Sequence, residues 1–168
     1  MAEEIIIRLL NPQDDLEELT ELLHRAYKRL ADMGLRYVAT YQDVTVTKRR
    51  IRTADCFVAE HEGRLVGTIA FHRPRPWTDR PTDYEQGKIA HFAQFGVDPE
   101  YQGKGLGSRM LEKVEDFARS LGLPQLAFDT SEKSKHLIEW YGKRGYRFLQ
   151  YVDWEVTNYR SVVMIKDL

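Results

Sequence analysis

Apolar positions change their spacing along the chain, and each change marks an element. Ile5 to Leu10 is a short, β-branched run that predicts a strand, broken by Asn11-Pro12. Leu16, Leu19, Leu22, Leu23, Ala26 and Leu30 then recur at helical spacing behind Asp14 and Asp15, either of which can cap. The spacing predicts a helix from Leu16 to about Ala31, with Gly34 in the loop after it. Thr45 to Ala54 predicts a shorter, strongly basic helix. Phe57 to Glu60, a turn at His61-Glu62-Gly63, and Leu65 to Phe71 predict a hairpin. Lys88 to Val97 predicts a strand, Ser108 to Leu121 a helix, Gln125 to Thr130 a strand and Ser134 to Arg144 a helix. Two closing strands, Tyr146 to Val156 and Ser161 to Lys166, flank a turn at Asn158. The order is strand, two helices, three strands, helix, strand, helix, two strands. That order predicts a mixed α/β or α+β fold around one sheet, as a single domain over 1–168.

Composition narrows the classes. A chain of 168 residues buries about 68–70% of its unfolded surface and builds a core without staples. Lys and Arg number 25 against 26 Asp and Glu, for a net charge of −1, which argues against a nucleic-acid partner. Residues 1–100 carry −3 and residues 101–168 carry +2. One cysteine, Cys56, leaves no intrachain disulfide and no cysteine-based zinc site. Acidic residues at the start speak against a signal peptide, and no run approaches the ~20 apolar residues of a membrane span. The expectation is a cytoplasmic protein with no membrane partner.

The chemistry concentrates in Val97-Asp98-Pro99-Glu100-Tyr101-Gln102-Gly103-Lys104-Gly105-Leu106-Gly107-Ser108, between a strand and a helix. Glycines at 103, 105 and 107 free the chain to turn and to expose successive N–H groups. The following helix adds its unpaired amides and positive dipole end, which together suit a phosphate or pyrophosphate. Lys104 adds a charge. The dinucleotide fingerprint fails, because its third glycine would fall at Ser108, and the P-loop fails because no glycine precedes Gly103 at the right distance and no Gly-Lys-Ser/Thr occurs. These failures disfavour a domain that binds ATP or NAD.

This segment resembles the coenzyme A loop of the GNAT N-acetyltransferase family, whose Q/R-x-x-G-x-G/A pattern is met by Gln102, Gly105 and Gly107. A second block, from Ser134 through Trp140-Tyr141-Gly142-Lys143-Arg144-Gly145-Tyr146, resembles the family's N-x-x-A-x-x-[FL]-Y-x-K-x-G-F helix. Ser134 stands where asparagine is usual, and Leu137 where alanine is. The element order fits over essentially the whole chain. The resemblance implies a mostly antiparallel, twisted sheet of about seven strands flanked by helices. It also implies direct acetyl transfer from acetyl-CoA to a primary amine, of a small molecule or a peptide, in a ternary complex. The alternative from another class is an acyl-CoA-binding domain without turnover.

Site residues follow from the same resemblance. Phe95, Gly96 and Val97 would pair their backbone with the pantetheine arm, and one of their amides would face the thioester oxygen. Gln102, Gly103, Lys104, Gly105, Leu106, Gly107 and Ser108 would hold the pyrophosphate, with Ser134 and Tyr141 as further cofactor contacts. Tyr141 would be the acid for the CoA thiolate; as a residue alone it reads as a core aromatic. His91 is a candidate base, its pKa suited to the task, or a structural histidine. Strand alternation places His91, Ala93, Phe95 and Val97 on one face. Glu60 is a second base candidate, more simply a solvent-facing residue. Cys56 reads as a buried, inert thiol, and histidines 24, 61, 72, 91 and 136 show no metal spacing, so no catalytic metal is expected. The basic run Lys48 to Arg52 reads as a solvated helix face, or as a contact for an acidic substrate, a partner or the CoA 3′-phosphate. Tyr37 and Tyr41, with the loop holding Trp77, Asp79, Asp83, Tyr84 and Glu85, fall where the family builds its acceptor pocket. The charge division suggests an acidic pocket drawing an ammonium. Many relatives dimerise, and the strands from Tyr146 are the expected homodimer surface.

Overall fold

A computed structural model describes residues 4–75 and 88–168. The expected aromatic loop with Trp77, Asp79, Asp83, Tyr84 and Glu85 lies outside the described residues. The elements are β1 (Ile6–Leu9), α1 (Leu16–Asp32), α2 (Val44–Ile51), β2 (Asp55–His61), β3 (Arg64–His72), β4 (His91–Val97), α3 (Leu106–Ser120), β5 (Gln125–Ser131), α4 (Lys135–Gly142), β6 (Arg147–Asp153) and β7 (Arg160–Asp167). The strands form one seven-stranded sheet in the order β1-β2-β3-β4-β5-β7-β6. Every neighbouring pair is antiparallel except β4 and β5. The predicted element order and mixed, mostly antiparallel sheet are those observed.

Helices cover both faces, so the inner strands are apolar on both sides. On β2, Phe57 and Ala59 face the cluster built on α3, with Met110, Leu111 and Val114, while Val58 between them faces Leu19 and Leu22 of α1. α1 starts where the Asp15 side chain accepts from the Glu17 amide at 2.9 Å. The approach of α1 to β4 depends on Gly96: a Cβ there would stand 2.7 Å from the Ala26 Cβ. One buried carboxylate ties the second layer together. Glu115 of α3 accepts from the Tyr146 hydroxyl at 2.9 Å and from the Lys166 ammonium at 3.1 Å. Among the described residues no helix is long and apolar enough to cross a membrane.

Candidate active site

The site is made by two irregularities in β4. On the side of β3, Ala70 pairs with Ala93 and Thr68 with Gly96, so Ile69 stands opposite two residues, Gln94 and Phe95. Gln94 takes a left-handed φ of 50°, unusual for a non-glycine residue, and the strand bulges there. On the other side, β4 meets β5 only at His91 and Ala127, where the Ala127 amide donates to the Ala90 carbonyl at 3.0 Å. Beyond that pair the two strands part. A cleft of about 1070 Å³ opens between them, walled by α1, α2, α3 and α4.

The bulge corrects the expected facing of β4. Phe92, Phe95 and Val97 lie on the α3 side, with Phe92 and Phe95 edge to face at 6.0 Å. His91 does not share their face. It stacks on His72 of β3, ring centroids 4.6 Å apart and nearly parallel. Gln94 turns toward α1 and α2, where its side chain accepts from the Gln42 amide at 2.9 Å. All of these residues except Gln42 line the cleft, so His91 and Phe95 meet it from opposite sides of the sheet.

The glycine loop closes one end of the cleft. Asp98, buried, caps the turn at Pro99–Tyr101 through the Glu100 amide and holds Arg25 of α1 at 3.0 Å. Gln102 donates its side-chain amide to the Val97 carbonyl at 2.9 Å, which folds the loop back on β4. Gly105, at φ 84°, is the N-cap of α3 and offers no side chain to its amides. The first-turn amides of α3 therefore remain for a ligand, with the helix dipole behind them. Gln102, Gly103, Gly105, Gly107 and Ser108 line the cleft. Two loop side chains point elsewhere: Lys104 stands outside the lining, its ammonium 5.8 Å from the Tyr101 ring, and Leu106 packs into the core. The sequence reading missed Arg144. Its guanidinium lies over the Trp140 ring at 3.5 Å and donates to the Ser108 hydroxyl at 2.7 Å, which places a cation at the loop.

Tyr141 joins the two ends. It is buried against Phe128, ring centroids 3.9 Å apart, and it lines the cleft. Burial pushes its pKa well above the ordinary 10, so the phenol keeps its proton. Ser134 is fully buried and lies outside the lining. Its hydroxyl meets the Tyr37 hydroxyl at 2.8 Å, which also meets Thr130 at 2.8 Å and accepts from the Ser131 amide at 3.0 Å. Ser134 thus holds Tyr37 in place.

The opposite end of the cleft is, among the described residues, aromatic and cationic. Tyr37 packs on Tyr159 at 4.8 Å and on Tyr27 at 5.6 Å, and Tyr41 stands beside them in the lining. Arg49, Arg50 and Arg75 line the same end. Asp129 is the acid there, accepting from the Trp154 indole at 2.9 Å. The basic run is therefore only partly a solvated face. Arg50 is half-buried, donates to the Gln42 side-chain oxygen at 2.8 Å, and has its pKa lowered by burial. His72 is lowered to about 4, by burial first and then by Arg50 and Arg75. Glu60 faces away from the cleft in an ion pair with Arg8 at 2.8 Å. Cys56 is buried off the lining, its thiol raised to about 11 by burial. No cluster of three or more His, Cys, Asp or Glu gathers among the described residues.

The model of the acetyltransferase (GNAT) family matches residues 16–146. The chain belongs to the GNAT acetyltransferase family. S-(2-succino)cysteine N-acetyltransferase of Bacillus subtilis is 34% identical over 134 residues, 79% of this chain and 78% of that protein. S-alkylcysteine N-acetyltransferase of the same organism is 29% identical over 137 residues, 79% of this chain and 74% of that one. A GNAT acetyltransferase from Elizabethkingia anophelis, solved with acetyl-CoA bound, shares the fold with a TM-score of 0.65 at 15% identity, over 98% of each chain. This GNAT protein is an N-acetyltransferase that uses acetyl-CoA.

Proposed function

We propose that this enzyme acetylates the α-amine of a small amino acid of the S-substituted cysteine kind, with both substrates bound in the one cleft. The observation that carries this reading is the continuity of that cleft. It runs from the α3 N-terminus, past Tyr141, to a pocket holding Tyr37, Asp129, Tyr159 and Arg49. An amino acid needs a carboxylate-binding cation and an ammonium-binding acid, and both are present. The two B. subtilis relatives are named for S-(2-succino)cysteine and S-alkylcysteine.

The residues then divide the work. Amides of residues 103–108, with Arg144 nearby, hold the pyrophosphate. The β4 backbone at Phe95, Gly96 and Val97 takes the pantetheine arm, and an amide there faces the thioester oxygen as charge develops on it. The amine nitrogen must shed a proton to attack, and His91 takes it, directly or through water. The new C–N bond forms as the C–S bond breaks, Tyr141 donates its proton to the departing sulfur, and the second proton leaving the nitrogen restores the Tyr141 phenol. Holding both substrates in one cleft supplies the remaining acceleration as effective concentration.

A thiol-release assay with acetyl-CoA and a panel of cysteine conjugates, polyamines and peptides tests this reading. CoA release with the conjugates supports it. Release with polyamines or peptides alone overturns it. The same reading takes the enzyme as a homodimer over β6, where Phe148 and Tyr151 stand 54% and 50% exposed. Light scattering checks that point.

A further inference from the structure

Among the described residues, the acceptor end of the cleft carries more positive charge than a plain amino acid needs. An α-amino acid zwitterion takes one acid and one cation. Asp129 supplies the acid, and it lies within electrostatic reach of Arg50. Arg49 and Arg50, adjacent on α2, and Arg75 beyond β3 all line that end of the cleft.

Arg50 is the decisive member. Among the described residues its side chain makes one hydrogen bond, to the neutral Gln42, and no ion pair. A guanidinium has five donors in a planar fork suited to a carboxylate. Gln42 holds it in place, because its own amide donates to Thr47 at 2.7 Å and to Gln94 at 2.9 Å, while Thr47 meets Thr20 at 2.7 Å. That buried chain anchors α2 to α1 and to the β4 bulge. The arginine is thus aimed by the same bulge that shapes the donor site. Keeping a half-buried cation without an acid beside it is costly unless a ligand supplies the charge.

We infer that Arg50 is the subsite for a carboxylate on the acceptor's side chain, with Arg49 at the rim left for the α-carboxylate, so the enzyme prefers acidic cysteine conjugates to apolar ones. This rests on the amino-acid reading above. It decides between the two substrate classes for which the relatives are named.

The experiment compares kcat/KM for S-(2-succino)cysteine, for the same compound with its succinyl carboxylates as methyl esters, and for S-methylcysteine. Wild-type enzyme is expected to favour the free acid at least tenfold over both neutral acceptors. Arg50→Met should collapse that preference to within about threefold, chiefly through a higher KM for the acid, and Arg50→Lys should restore part of it. CoA affinity by calorimetry and the thermal midpoint report whether each variant is folded. Equal use of acid and ester by the wild type overturns the inference while leaving the amino-acid reading intact. If no amino acid is acetylated while CoA binds, the amino-acid reading fails and the inference falls with it.

Discussion

Phe92 and Phe95 present their rings to the same side of the sheet, 6.0 Å apart and edge to face, although three positions separate them. In a regular strand, residues three apart face opposite ways. The extra residue at the Gln94 bulge removes that alternation. It sends Phe95 toward Tyr141, at 6.5 Å between ring centroids, and leaves His91 on the other face beside His72. Deleting Gln94 should restore alternation and reverse the end of β4. The variant is expected to lose at least ~2 kcal/mol of stability, since Gln42 loses its partner and Phe95 its packing. CoA binding by calorimetry should vanish with it. A folded deletion variant that binds CoA like the wild type contradicts the role given to the bulge.

Gly105→Asp separates ligand binding from folding. A Cβ at Gly105 meets no protein atom within 4 Å, and aspartate tolerates the left-handed backbone better than most residues. The fold should survive with a cost of about 1 kcal/mol. A carboxylate at the head of α3 faces the phosphates of CoA, so affinity is expected to drop at least tenfold. Unchanged affinity would remove the loop from the donor site.

Tyr141→Phe keeps the ring stacked on Phe128 and removes the proton. The expected result is a fall in kcat of about a hundredfold, with KM for acetyl-CoA within about threefold. An unchanged kcat, with chemistry shown to limit the rate, contradicts the acid role.

His72 gives the enzyme an acid-sensitive component of stability. Its folded pKa is depressed to about 4 from 6.5, first by burial and then by Arg50 and Arg75. Between those values the unfolded chain binds a proton that the folded chain refuses, so stability falls as the pH falls. At pH 5 the loss is on the order of 1–2 kcal/mol relative to pH 7. Chemical denaturation at both pH values should show that loss in the wild type and a smaller one in His72→Gln. Equal losses in the two proteins would place the acid sensitivity elsewhere.

Much of the fold was legible because its elements differ sharply in periodicity. The leucine stripe of α1, the hairpin turn at Glu62-Gly63 and the three glycines before α3 each declare themselves locally. The donor site was legible for the same reason, as a loop followed by a helix. The side chains of Lys104, Leu106 and Ser134 point away from the cleft lining, which the sequence did not show, because a motif marks a segment and not the direction of each side chain. The bulge left only a weak trace, a polar Gln94 inside an apolar strand. Arg50 had a trace as well: Thr47, Arg50 and Ile51 share a helix face, and Thr47 is fully buried. Asp129, a charge between Phe128 and Thr130 in a buried strand, was another such trace. Tyr159 reaches Tyr37 across the sheet, a pairing that no local spacing encodes.

The central claim is that one cleft holds acetyl-CoA and an amino acid for direct transfer. Mass spectrometry of a reaction with acetyl-CoA and S-(2-succino)cysteine tests it most directly. The account predicts the α-N-acetylated product and free CoA in equal amounts, both strongly reduced in Tyr141→Phe. Acetyl-CoA bound by the enzyme, with neither product nor free CoA formed from any α-amine, would contradict it.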